Sequence, residues 1–146
     1  MSDDLDALYQ KRILERGERA RASKLPEPRT HEVRVTNPLC GDRVRFGLRV
    51  EDAHVRAAGF EAQGCLISLA AASWLADAIV DAEPAEVRAL LAEYRAMIDD
   101  GAEPTEALGE LGTLSVVRRF PARLRCATLP AEAIELMLAE DDDGAD

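Results

Sequence analysis

Residues 43–79, RVRFGLRVEDAHVRAAGFEAQGCLISLAAASWLADAI, hold the change of period that decides the fold. Val44, Phe46, Leu48 and Val50 alternate with Arg43, Arg45 and Arg49, a period of two that gives a strand one dry and one wet face. Glu51 to His54 supplies a polar turn. Val55 to Gln63 then resumes as a strand, with Phe60 and Ala62 on one side and Gly59 read as a bulge. After Gly64 the period lengthens: Ile67, Ala70, Ala71, Trp74, Leu75, Ala78 and Ile79 recur every three or four residues. A mostly buried helix therefore begins at Cys65.

Upstream, Val33 and Val35 alternate before the Asn37-Pro38 break, which adds a third strand and predicts a three-stranded antiparallel meander. Before it, Leu5, Leu8, Tyr9 and Ile13 predict a short amphipathic helix over 5–14, capped by Ser2 or Asp4. Residues 16–29 carry Arg16, Arg19, Arg21, Lys24 and Arg29 against Glu18 and Glu27, and close on Pro26 and Pro28; they read as a solvated connector. Downstream, Pro84 opens a helix through Val87, Leu90, Leu91, Tyr94, Met97 and Ile98 that Gly101 ends. Pro104 opens a shorter one that Gly109 and Gly112 close. Pro121 and Pro130 bracket the segment of Cys126, and Ala133, Ile134, Met137 and Leu138 form the stripe of a last helix. Strands first and helices after, without βαβ alternation, give an α+β class with the sheet packed against a layer of helices. One domain is expected over 1–140, followed by an acidic disordered tail over 141–146.

A chain of 146 residues suits one domain, and its net charge of −10 repels polyphosphates, so nucleic acid is excluded as a general partner. The 4% aromatic content offers no stacking platform for bases. The longest apolar run, Cys65 to Ala76, stops at Asp77, short of the roughly 20 residues that span a bilayer, so no membrane contact is expected. The start, Met1-Ser2-Asp3-Asp4, lacks the features of a signal peptide, which predicts a cytoplasmic location.

In that reducing compartment, three cysteines are an odd number that leaves thiolate chemistry or metal binding as the use for Cys40, Cys65 and Cys126. In near-extended backbone Cys40 and Asp42 point the same way and can address one ion. Cys65 lies at a helix start, where free N–H groups favour a thiolate. Cys126 is flanked by Arg123 and Arg125, cations that favour one too. Three sulfurs and a carboxylate complete a tetrahedron for zinc. By spacing alone, the same cysteines also suit three small buried hydrophobes. His31 and His54 stand apart from every cysteine motif and read as solvent-facing bystanders. The Arg43, Arg45, Arg49 stripe reads as the wet face of its strand.

Three segments, Asn37 to Val44 (NPLCGDRV), Gln63 to Ser68 (QGCLIS) and Phe120 to Leu129 (FPARLRCATL), resemble in order and content the cysteine motifs of the IscU/NifU-type iron–sulfur cluster assembly family. Leu108-Gly109-Glu110-Leu111 and Val116 to Pro121 are similar to the SufU branch. Arg125 stands where the IscU branch carries a histidine, and that branch's Leu-Pro-Pro-Val-Lys motif is missing; both favour SufU. The resemblance spans residues 5–138. Glu15-Arg16-Gly17 and the basic stretch after it depart from the family's Asp-His-Tyr and Asn-Pro-Arg segment.

The resemblance implies a SufE/NifU-like, IscU-type fold and a zinc site on Cys40, Asp42, Cys65 and Cys126, with Arg123 beside it. It implies Cys40 as the catalytic, persulfide-accepting residue. The function implied is a zinc-dependent sulfurtransferase that takes sulfur from a SufS-like pyridoxal-phosphate cysteine desulfurase and passes it to a SufBCD-like assembly complex. The alternative is a scaffold that builds a transient [2Fe–2S] cluster on the same ligands. A third reading is a binding module with purely structural zinc.

Overall fold

The structure, a computed structural model, describes residues 2–39 and 41–144, and side chains over 7–39 and 41–139. Its elements follow in the order α1 (Ser2–Ala20), β1 (His31–Asn37), β2 (Asp42–Glu51), β3 (His54–Gln63), α2 (Leu66–Ile79), α3 (Pro84–Asp100) and α4 (Leu124–Gly144). Between α3 and α4 run a 3₁₀ stretch, Glu106–Arg119, and a short 3₁₀ turn, Pro121–Arg123.

The sheet is the expected meander, order β1-β2-β3, antiparallel throughout. The register pairs Val35 with Val44 and Phe46 with Phe60, so the apolar residues of all three strands share one face. The Phe46 and Phe60 rings stack at 5.8 Å between centroids. Asp52 and Ala53, both at positive φ, form the tight β2–β3 turn whose twist matches that of the strands. Helices α2 and α4 cover the apolar face, while α3 and the 3₁₀ stretch lie outside them. Leu69, Ala70, Ala71, Ala72, Leu75 and Ile79 of α2 are fully buried, as expected of a helix apolar nearly all round.

Gly59 is not a bulge. The irregularity in the β2–β3 ladder falls between Arg49 and Val50. Gly59 pairs with Gly47, and the connector crosses the sheet's outer face at that glycine pair: a Cβ on Gly59 would stand 2.1 Å from the Lys24 carbonyl oxygen. Close backbone approach is the other common reason for glycine in a strand. The connector is thus a strap packed on the sheet, and its first part belongs to α1. The helix outlasts the predicted 5–14 span because Arg16 is held by α2: its Nε donates to Ser73 Oγ at 2.8 Å, it pairs with Asp77, and its guanidinium lies over the Trp74 ring. Gly17 lets α1 touch the first residue of α2, since a Cβ there would be 2.7 Å from the Leu66 carbonyl oxygen.

The capping box of Glu83 and Glu86, Pro84 in the first turn and Gly101 in a left-handed cap delimit α3 as expected. The next segment differs from expectation. Instead of a short helix closed by Gly109 and Gly112, the 3₁₀ stretch runs on to Arg119, broken only at Gly109 (φ 54°, ψ −129°). A 3₁₀ helix has three residues per turn, and Leu108, Leu111, Leu114 and Val117 are all buried at that period. Pro130 lies inside α4 rather than before the last helix, and the helical backbone continues through Gly144. The acidic residues 141–144 therefore extend a helix instead of beginning a disordered tail; 145 and 146 lie outside the described residues. Among the described residues no helix is long and apolar enough to cross a membrane.

Candidate metal centre

Asp42 opens β2 opposite Asn37, the last residue of β1. Between them the chain turns tightly: Asn37 Oδ1 accepts the Leu39 N–H at 3.2 Å, the Asn37 carbonyl accepts the Gly41 N–H at 2.8 Å, and Gly41 takes a φ of 75°. Cys40, the predicted catalytic residue and ligand, lies outside the described residues. Asp42 itself is buried, 1% exposed.

Two elements converge on its carboxylate. Cys65 is the N-cap of α2, and its backbone N–H donates to Asp42 Oδ1 at 3.0 Å, so the carboxylate serves as the acceptor that the helix start requires. Gly64 (φ 153°) makes room, for a Cβ there would lie 2.2 Å from the same oxygen. From the far side α4 brings in the fully buried Cys126. The ligand atoms of Asp42, Cys65 and Cys126 all lie within 4.8 Å of one another. Cys65 Sγ is 3.7 Å from Asp42 Oδ2. Two ligands each about 2.2 Å from a tetrahedral ion stand about 3.6 Å apart. Two thiols and a carboxylate, with Asp42 and Cys126 buried and Cys65 half-buried, fit a borderline-soft divalent ion of the zinc type.

Sequence reasoning assigned no role to Ser68, although it ends the second cysteine motif. It is 1% exposed and donates to Asp42 Oδ2 at 2.9 Å and to the Cys126 carbonyl at 3.0 Å. Its place one helical turn after Cys65 was the available signal, since residues three apart share a helix face.

Arg125 does not serve Cys126: it pairs with Glu132 along α4 at 2.7 Å. Arg123, exposed, ends the 3₁₀ turn three residues before Cys126. His31 and His54 stay outside the cluster, the first against Thr30 and the second against the Asp52 carbonyl and Glu83.

With the geometry in place, sequence comparison decides the family, because the model of the NifU-like N-terminal domain matches residues 8–114. The chain belongs to the NifU-like N-terminal domain family. Its expected kinship with SufU and IscU proteins of iron–sulfur cluster assembly holds. This NifU-like chain is 32% identical over 143 residues to the zinc-dependent sulfurtransferase SufU of Bacillus subtilis, covering 97% of this chain and 96% of the relative. It is 31% identical over 104 residues to the iron–sulfur cluster assembly scaffold protein IscU of Streptococcus pyogenes, covering 70% and 65% of the two chains. Among solved structures, a NifU-like N-terminal protein of Brucella abortus superposes with a TM-score of 0.81 at 26% identity, covering 94% and 96%. A SufU-type protein of Fervidobacterium islandicum, at 24% identity and a TM-score of 0.80 over 86% and 93%, shares the fold.

Proposed function

We propose that this chain is a zinc-dependent sulfurtransferase of iron–sulfur cluster biogenesis, accepting sulfur from the persulfide of a SufS-like cysteine desulfurase and passing it to SufBCD-like assembly machinery. The observation that carries the reading is the convergence of Asp42, Cys65 and Cys126 on one point, their ligand atoms within 4.8 Å of one another. The likeness along 97% of the chain to a relative named for that activity supports it. Cys40, two residues before Asp42, is the proposed fourth ligand and the sulfur acceptor, and Arg123 is proposed to flank the site.

Bound zinc would hold the thiols deprotonated without oxidising them. Asp42, kept in place by the Cys65 N–H and Ser68, would hold the ion together with Cys65 and Cys126. The Cys40 thiolate attacks the outer sulfur of the donor persulfide; a new S–S bond forms, the donor S–S bond breaks, and the donor leaves as a thiolate. Cys40 then carries the persulfide and no external oxidant is needed.

The test is metal content together with sulfur uptake from a cysteine desulfurase and cysteine. Near-stoichiometric zinc, with a persulfide on the parent and none on Cys40→Ala, is expected. Unchanged uptake by the variant removes Cys40 from the role. The likeness to a relative named as a scaffold favours a second reading, a transient [2Fe–2S] cluster on the same residues. Iron, a visible cluster and sulfur recovered only as sulfide would favour it over transfer.

A further inference from the structure

Pro130 interrupts the hydrogen-bond ladder of α4 one turn after Cys126. A proline within a helix has no N–H for the carbonyl four residues earlier, and its ring crowds that carbonyl. Here that carbonyl belongs to Cys126, one of the three converging ligands. Ser68 Oγ stands 3.0 Å from it, in place of the missing backbone donor. The neighbouring carbonyl, Ala127, is taken by the Tyr94 hydroxyl of α3 at 2.7 Å. Two buried hydroxyls on two other helices thus serve the carbonyls beside the proline.

Ser68 has a second acceptor, Asp42 Oδ2 at 2.9 Å. A hydroxyl carries one proton and donates fully to one oxygen at a time. Asp42 Oδ1 is already engaged by the Cys65 N–H, so Ser68 governs the other oxygen, the one 3.7 Å from Cys65 Sγ. We propose that Ser68 is a positioning residue of the metal centre, its single proton shared between the Asp42 carboxylate and the Cys126 carbonyl that Pro130 frees. The hold on Asp42 and the seat of Cys126 are thereby coupled. With the proton on the Asp42 side Ser68 adds to the hold on the carboxylate; with it on the Cys126 side that hydrogen bond is given up and the hold on Asp42 weakens. This inference rests on the zinc reading above.

The experiment measures zinc release to a chromogenic chelator and the visible spectrum of the cobalt(II)-substituted full chain. It compares the parent with S68A, S68T, P130A and S68A/P130A. S68A is expected to release zinc roughly tenfold faster, within the usual effect of removing a ligand's hydrogen-bond partner, and to shift the cobalt bands. S68T, which keeps a hydroxyl, restores both towards the parent. P130A gives the Cys126 carbonyl a backbone N–H, leaves the serine proton to Asp42 and slows release. In that background S68A lowers thermal stability less than it does in the parent, yet still speeds release.

Parent-like release and cobalt spectrum in S68A, with only the unfolding temperature lowered, would overturn the inference. So would a folded S68T that fails to restore them. Should S68A not fold, slower release by P130A supports the inference and unchanged release overturns it. A parent that binds neither ion sinks the zinc reading and this inference together. One that binds both, with S68A unchanged, sinks the inference alone.

Discussion

Gly64 shows how one missing side chain seats a carboxylate. The space a Cβ would fill is held by the Asp42 carboxylate, and the backbone there adopts a φ of 153° that other residues rarely take. Gly64→Ala is expected to displace Asp42 and weaken zinc binding roughly tenfold or more, while far-ultraviolet circular dichroism remains that of a folded chain. Chelator competition checks it. Tyr94 serves the same neighbourhood through α4: burial pushes its phenol up, so it stays a protonated donor to the Ala127 carbonyl. Tyr94→Phe leaves that carbonyl short of a donor and is expected to cost about 1–3 kcal/mol in urea denaturation.

At the scale of elements, the strap over the sheet depends on the Gly47–Gly59 pair and on charge. A valine at 59 would drive carbon into the Lys24 backbone, which cannot give as a side-chain tip would. Gly59→Val is expected to destabilise by about 1–3 kcal/mol and to speed tryptic cleavage in 21–24 as the strap lifts; denaturation and proteolysis report the two effects. Glu32 ties the strap to the strands, accepting from Arg45 of β2 and Arg29 of the strap. The Arg45 hydrogen bond first, then that of Arg29, hold its carboxyl at about 2, below its ordinary value of 4.5. A depressed carboxyl pKa stabilises the fold fully above the unfolded value and loses that contribution as pH falls through the folded one. The stability difference between parent and Glu32→Gln is therefore expected to be constant above pH 5 and to shrink between about 4.5 and 2, read from urea midpoints across that range.

Across the whole molecule, the three converging side chains come from β2, the start of α2 and the start of α4, so an ion bound there would join the sheet to both helices that cover it. An ion that binds only the folded chain stabilises it by about 2.7 kcal/mol at one hundred times Kd. Zinc removal is expected to lower the unfolding temperature by several degrees and re-addition to restore it, a shift that calorimetry on treated and reloaded protein would detect. The outer layer is tied independently of the centre: Arg95 of α3 makes a bidentate pair with Glu135 of α4 at 2.7 Å through both contacts. Chelation should therefore leave helix content largely intact.

Periodicity alone determined the meander, the helix that starts at Cys65 and the span of α3, because a pleat alternates every two residues and a buried helix every three to four. The cysteine motifs made Asp42, Cys65 and Cys126 legible as a set, since each carries its chemistry in its own residue type. Tertiary structure decided what depends on contacts between distant segments. Gly59 is a crossing point because Lys24 lies over it, and residues 16–20 are helical because Ser73, Trp74 and Asp77 receive Arg16. The 3₁₀ stretch hid because a three-residue repeat of leucine and valine is close to the α period, and its break comes at Gly109 alone. Ser68 and the Cys126 carbonyl, 58 positions apart, met only when α2 and α4 packed, for a hydroxyl and a carbonyl have no pattern along the chain until the packing of two helices brings them together.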